Sequence, residues 1–238
     1  MILYYIRHGD PVYNPDSLTE LGHKQANALA KRLSLYGLNE VYVSTSNRAI
    51  LTAKPTCEAL SITPIECPWA HEALAWESTA IRGEDDTYTW AFSQPSIIEK
   101  FHTEEIRRLG ADWYLHPAFA NTNFVKGIPT IHQNVDAFLR SLGFEHDRKQ
   151  GRFRILKENK KRVALFAHQG FGIAFLSSLL DIPYPAFCTR FDLGHSSMTV
   201  INFEEHNGYA YPKILQLSND SHLYKEGILT GYNNSIDI

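Results

Sequence analysis

Hydrophobic and polar positions fall into blocks along this chain that predict strands and helices in turn. Ile2 to Ile6 is a short apolar run with two tyrosines, ended by Arg7, and reads as a buried strand. From Thr19 to Tyr36, Leu21, Ala26, Leu29, Ala30 and Leu33 recur at helical spacing, with Thr19 placed as the N-cap. Glu40–Val43 is a second strand. A helix through Ala49, Leu51, Ala53 and Leu60 follows, with Ser44 and Ser46 as possible caps. Pro55 should kink or divide it, because proline lacks the N–H and crowds the preceding turn. Thr63–Glu66 is a third strand. Helical spacing returns over Pro129–Leu142, a strand over Arg162–Ala167 and a helix over Gly170–Leu180. Met198–Phe203 and Lys213–Leu217 complete the sheet with some antiparallel pairing. The alternation predicts an α/β protein, a three-layer α/β/α sandwich with a mostly parallel sheet.

From Ala70 to about Gly127 the periodicity is poor. Trp76, Trp90, Phe92, Phe101, Trp113, Phe119 and Phe124 are scattered among acidic residues and histidines. This stretch reads as an insertion over one face of the core, with 78–127 as an approximate cap inside a single domain spanning 1–238. The basic run KENKKR (Lys157 to Arg162) reads as a solvated loop before a strand.

Composition narrows the class. The 238 residues are 44% hydrophobic and 21% charged, which excludes whole-chain disorder, collagen and coiled coil. A formal net charge of −3 argues against a nucleic-acid partner, which calls for a basic surface. It leaves room for a small phosphorylated substrate, which needs only local cations. Three cysteines, Cys57, Cys67 and Cys188, form no CxxC pair, so neither a disulfide framework nor a zinc cluster is expected. The N-terminus lacks a signal-peptide pattern and no run is long enough to span a bilayer. The expectation is a cytoplasmic protein with no membrane partner, no metal and no cofactor; no pattern prescribes an oligomeric state.

In wound α/β sheets, ligands sit beyond the carboxyl ends of the strands. Arg7-His8-Gly9 follows the first predicted strand, Ser44 to Ala49 with Arg48 follows the second, and His168-Gln169-Gly170 follows the strand ending at Ala167. Three strand ends thus carry two arginines and two histidines to one edge. Guanidinium groups pair bidentately with phosphate oxygens, and the N–H groups of a helix opening at Gly170 also face an anion. Any one of these residues alone would be ordinary; their coincidence at three strand ends points to an anion site.

At this point the motifs become specific. RHGDPVYN (Arg7 to Asn14) resembles the RHGExxWN signature of the histidine phosphatase, or phosphoglycerate mutase-like, superfamily. SLTELGHKQA (Ser17 to Ala26), STSNRAILTA (Ser44 to Ala53), AHQG (Ala167 to Gly170) and LSNDSHL (Leu217 to Leu223) are similar to its later motifs, in family order. The resemblance implies that His8 is a nucleophile forming a phosphohistidine, that Arg7, Arg48 and His168 bind the phosphoryl oxygens, and that Asn14 adds a neutral contact. It also implies a glutamate general acid after the third strand. Glu72 and Glu77 both stand there. TPIECPWAHEA (Thr63 to Ala73) resembles the mutase pattern with a one-residue slip and favours Glu72; Glu84, Asp85 and Asp86 read as a solvated loop. His195 either lines the pocket or is structural.

Departures sharpen the choice. Gln169 excludes the HD motif of the acid phosphatase and phytase branch, and Asp10 stands where mutases usually carry Glu. With the phosphatase-like ending, these imply an enzyme: a metal-independent phosphomonoesterase (phosphoric monoester hydrolase). A phosphoglycerate-type phosphomutase is the alternative, and a degenerate phospho-ligand binding module a third reading.

Overall fold

β1 (Ile2–Arg7) lies near the centre of an eight-stranded sheet, and its side chains divide the molecule. Leu3 and Tyr5 face one apolar cluster, Tyr4 and Ile6 the other, as the period of two along a strand requires. The computed structural model describes residues 1–83 and 86–232. The remaining sheet strands are β4 (Glu40–Ser44), β5 (Ile65–Cys67), β8 (Phe144–Asp147), β9 (Arg152–Ile155), β10 (Arg162–Ala167), β11 (Met198–His206) and β12 (Tyr209–Asn219). Two small hairpins stand apart, β2 (Pro11–Tyr13) with β3 (Asp16–Leu18), and β6 (Ala80–Arg82) with β7 (Tyr88–Trp90).

The sheet order is β5-β4-β10-β1-β11-β12-β9-β8. The first four strands are parallel, and β11, β12, β9 and β8 extend them by antiparallel pairing. β1 and β10 run in register from Ile2↔Arg162 to Arg7↔Ala167. Their carboxyl ends therefore finish side by side, and His8 N–H donates to Ala167 O at 2.9 Å.

Helices α1 (Glu20–Tyr36) and α2 (Asn47–Leu60) cover one face, through Leu29, Leu33, Ala49 and Ala53. Thr19 caps α1, its hydroxyl accepting from Gly22 N–H at 3.0 Å. The other face carries α3 (Glu72–Thr79), α6 (Phe124–Ser141) and α7 (Gln169–Leu179). Short helices α4 (Pro95–Phe101), α5 (Glu104–Arg108), α8 (Tyr184–Cys188) and α9 (Ser221–Lys225) complete the set. The result is the expected three-layer sandwich. No helix among the described residues is long and apolar enough to cross a membrane, and the three cysteines are free and buried.

Several elements differ from the pattern-based expectation. α2 runs unbroken through Pro55. α6 begins at Phe124, five residues before the expected Pro129, which lies inside it. An interior proline costs about 3 kcal/mol, but the earlier start buries Phe124 and Ile128, each contributing roughly 1.5–3 kcal/mol. The β8–β9 and β2–β3 hairpins leave no periodic signal because their strands are only three or four residues long. In the poorly periodic stretch, aromatic interlocking replaces periodicity. Phe101, Trp113, Phe119 and Phe124 pack ring on ring at 4.9–6.2 Å, and they join the same cluster as Leu3 and Tyr5. Glu84 and Asp85 of the acidic loop lie outside the described residues; Asp86 pairs with exposed Arg82.

Candidate active site

The parallel strand ends deliver their residues to one place. Arg7 and His8 leave β1, Ser44 closes β4, Arg48 sits in the first turn of α2, and His168 is the N-cap of α7. Arg7, His8 and His168 are all buried, at 4%, 3% and 0% exposure. Charged and polar groups this deep need partners, and the partners define the site.

His8 Nδ1 lies 2.7 Å from Gly9 O, which can only accept. The ring proton is therefore on Nδ1, and Nε2 keeps its lone pair. Burial first, then the charges of Arg7 and Arg48, lower the His8 pKa to about 3. The imidazole is neutral throughout the physiological range. Its ring stands edge-on to His168 at 5.2 Å and lies 5.8 Å from the ring of His195.

Arg7 is gripped by the loop before β11. One terminal nitrogen donates to Leu193 O at 2.5 Å, and the other donates to His195 Nε2 at 2.6 Å. His195 in turn presents Nδ1 to Asp10 at 3.5 Å. Because Arg7 needs an acceptor there, His195 must be neutral; burial, and after it Arg7, lower its pKa to about 4. Arg48 is held differently. Asp16, in the β2–β3 hairpin, accepts from Arg48 at 2.8 Å, from Ser46 Oγ at 2.7 Å and from Asn47 N–H at 2.8 Å. Burial alone would raise the Asp16 pKa, but these donors hold it below the ordinary value. Tyr13 packs its ring 5.5 Å from the Arg48 guanidinium.

His168 is fixed from two sides. Tyr5 OH donates to His168 O at 2.6 Å and accepts from His168 N–H at 3.2 Å. The tyrosine reaches α7 because residue 172 is glycine: a Cβ there would lie 2.6 Å from the phenol oxygen. Ser44 Oγ accepts from Ser46 N–H and lies 2.8 Å from His168 Nε2. Burial and the nearby cationic groups hold His168 neutral, far below the usual histidine range.

Glu72 opens α3, and its carboxylate caps α7: Oε1 accepts from Gly170 N–H at 2.9 Å and Oε2 from Phe171 N–H at 2.8 Å. Burial raises its pKa and prevails over those two donors and the charges of Arg48 and Arg7. Glu77 is exposed, five residues on and about 140° round the helix, so the structure brings Glu72 and not Glu77 to the cluster. Asn14 does not join it. It is exposed in the turn between β2 and β3, and among the described residues no hydrogen bond ties it to the other groups.

Three buried nitrogens of the cluster have no partner among the described residues: Arg7 Nε, Arg48 Nε and His168 Nδ1. Ser44, Tyr5 and Asp16 are site residues that the sequence did not single out. Ser44 reads as a helix cap, Tyr5 as core and Asp16 as a turn; the Asn14-Pro15-Asp16 turn signal is the only available hint.

Fold and cluster together define an α/β sandwich with a cationic, histidine-bearing anion centre at the carboxyl edge of its parallel strands. Residues 3–111 of the 238 match the model of the histidine phosphatase superfamily (branch 1). No curated protein matches it in sequence. Among solved structures, the phosphoserine phosphatase of Entamoeba histolytica in complex with 3-phosphoglyceric acid is similar with a TM-score of 0.58 at 19% identity. That alignment covers 93% of this chain and 98% of the other. A mycobacterial glucosyl-3-phosphoglycerate phosphatase with inorganic phosphate gives 0.58 at 18% identity, covering 93% and 98%. An Escherichia coli candidate α-ribazole-5′-P phosphatase gives 0.55 at 19%, covering 92% and 98%.

Proposed function

We propose that the chain is a phosphomonoesterase acting on a small phosphorylated metabolite through a phosphohistidine. The observation that carries this reading is the free Nε2 of neutral His8 set among Arg7, Arg48 and His168, three of whose buried nitrogens want an acceptor. A phosphoryl group supplies acceptors of the right charge, and donors preorganised around it contribute most to such catalysis. The superfamily-model match over residues 3–111 and the phosphatase names of the structural relatives support the same class.

His8 Nε2 attacks phosphorus, and the bond from phosphorus to the ester oxygen breaks. Arg7, held by Leu193 O and His195, and Arg48, held by Asp16, balance the charge of the transferring group. Ser44 Oγ–H donates to His168 Nε2, which leaves the ring proton on Nδ1 as a further donor to the phosphoryl oxygens. Glu72, protonated, gives its proton to the departing alkoxide. The carboxylate then takes a proton from water as that water attacks the phosphohistidine, releasing inorganic phosphate and restoring His8.

A panel of phosphate esters tests this. Stoichiometric release of inorganic phosphate is expected. Isomerisation of phosphoglycerate without release would instead make the chain a mutase, and binding without turnover would make it a phospho-ligand module.

A further inference from the structure

In-line displacement puts the leaving group opposite His8, and Glu72, proposed above to protonate it, adjoins an aromatic wall. The Trp90 ring lies directly on Gly170, where a Cβ would be 2.4 Å from its Cη2, and Gly170 N–H is the group Glu72 holds. Trp76 meets Trp90 edge-on at 4.8 Å, and Phe92 stacks on Trp90 at 5.4 Å with the rings 10° from parallel. A recess of about 470 Å³ opens along this wall, lined by Trp90, Phe92, Gln169, Thr189, Arg190 and Phe191; Gln169 directly follows His168 in the chain. The volume suits a ligand far larger than a three-carbon alcohol.

The recess carries both signs of charge. Asp192 Oδ1 accepts from Gln169 Nε2 and from Leu193 N–H, whose carbonyl holds Arg7. The Arg190 guanidinium donates to Ala186 O and Thr189 Oγ1. No salt bridge among the described residues engages Arg190, and the side chain is exposed.

We infer that the recess receives the leaving alcohol, and that this alcohol is an aromatic molecule bearing an anionic group: the ring packs on Phe92, which itself stacks on Trp90, and the anion reaches Arg190. Stacking on aromatic faces favours flat bodies beyond simple burial, and an arginine pairs with a carboxylate or phosphate by a planar fork. The inference rests on the phosphomonoesterase reading and names its substrate class.

The test compares kcat/KM of the whole chain for benzyl phosphate, 4-carboxybenzyl phosphate and glycerol 2-phosphate. All three release alcohols of comparable basicity, so contacts in the recess make the difference. Benzyl phosphate is expected to exceed glycerol 2-phosphate by ~10-fold, and the carboxylate to add a further ~3-fold. Phe92→Ala should erase the benzyl advantage while leaving glycerol 2-phosphate within about 2-fold. Arg190→Gln should erase only the carboxylate increment. Equal kcat/KM for the three esters, or Phe92→Ala slowing all three alike, would overturn the inference and leave the phosphatase standing. Hydrolysis of none would overturn both.

Discussion

In the proposed mechanism, Glu72 is the residue on which the chemistry turns after His8. Its pKa is raised by burial against two backbone donors, so it remains protonated to higher pH than a solvated carboxyl. The phosphorylation step requires that proton, and kcat/KM for an alkyl ester should therefore fall as pH climbs past the raised value. With His8 at about 3, the nucleophile is already neutral between about pH 5 and 8 and sets no limb there. Glu72→Gln should abolish the alkaline limb. In single-turnover rates it should slow an alkyl phosphate by about 10²–10⁴-fold, and p-nitrophenyl phosphate much less, because nitrophenolate leaves without help. An equal loss on both substrates would remove Glu72 from the proton transfer. Glu77, outside the cluster, should tolerate the same change.

At the scale of elements, the site depends on β1 and α7 being locked together. Tyr5 OH satisfies both backbone groups of His168. Tyr5→Phe leaves that buried N–H without a partner, while the C=O keeps only its bond from Gly172 N–H at 3.1 Å, a loss of about 1–3 kcal/mol. Chemical denaturation should show the loss, and turnover should fall with it, since His168 loses its anchor; unchanged stability would contradict the anchor role. This contact also shows what the sequence could not carry. The strand ends are legible because buried parallel strands read as continuous apolar runs, with Arg7, His8, Arg48 and His168 just after them. Tyr5 and His168 are 163 residues apart, and nothing local in "YYIR" says that a phenol reaches α7. Asp16 is illegible for another reason: β2 and β3 are three-residue strands, too short for a period to register. The start of α6 is misplaced at Pro129 because local propensity yields to the burial of Phe124 and Ile128.

For the whole molecule, the buried histidines dominate the response to pH. Burial above all holds His8 at about 3, His132, His195 and His222 at about 4, and His168 well below the ordinary value. Each is neutral in the fold and takes up a proton in the unfolded chain below about pH 6.5. Their contribution to stability is complete above that value and is lost progressively as pH falls toward the folded pKa values. His146 opposes them. Although burial lowers its pKa, Asp136 and Asp181 raise it on balance, so its contribution is complete below about pH 6.5 and is lost as pH rises through the raised value. Five against one, the thermal midpoint should drop between about pH 7 and 5. A midpoint that is flat or rises over that interval would contradict the buried neutral state of the cluster.

The central claim is that the free Nε2 of His8 takes the phosphoryl group. Rapid acid-free quenching during turnover, followed by mass spectrometry of the His8 peptide, tests it most directly. A phosphate on His8, stable to base and lost in acid, is expected in the native chain and absent from His8→Ala, which should be folded and inactive. Turnover with no phosphate on His8, or full activity of His8→Ala, would contradict the account.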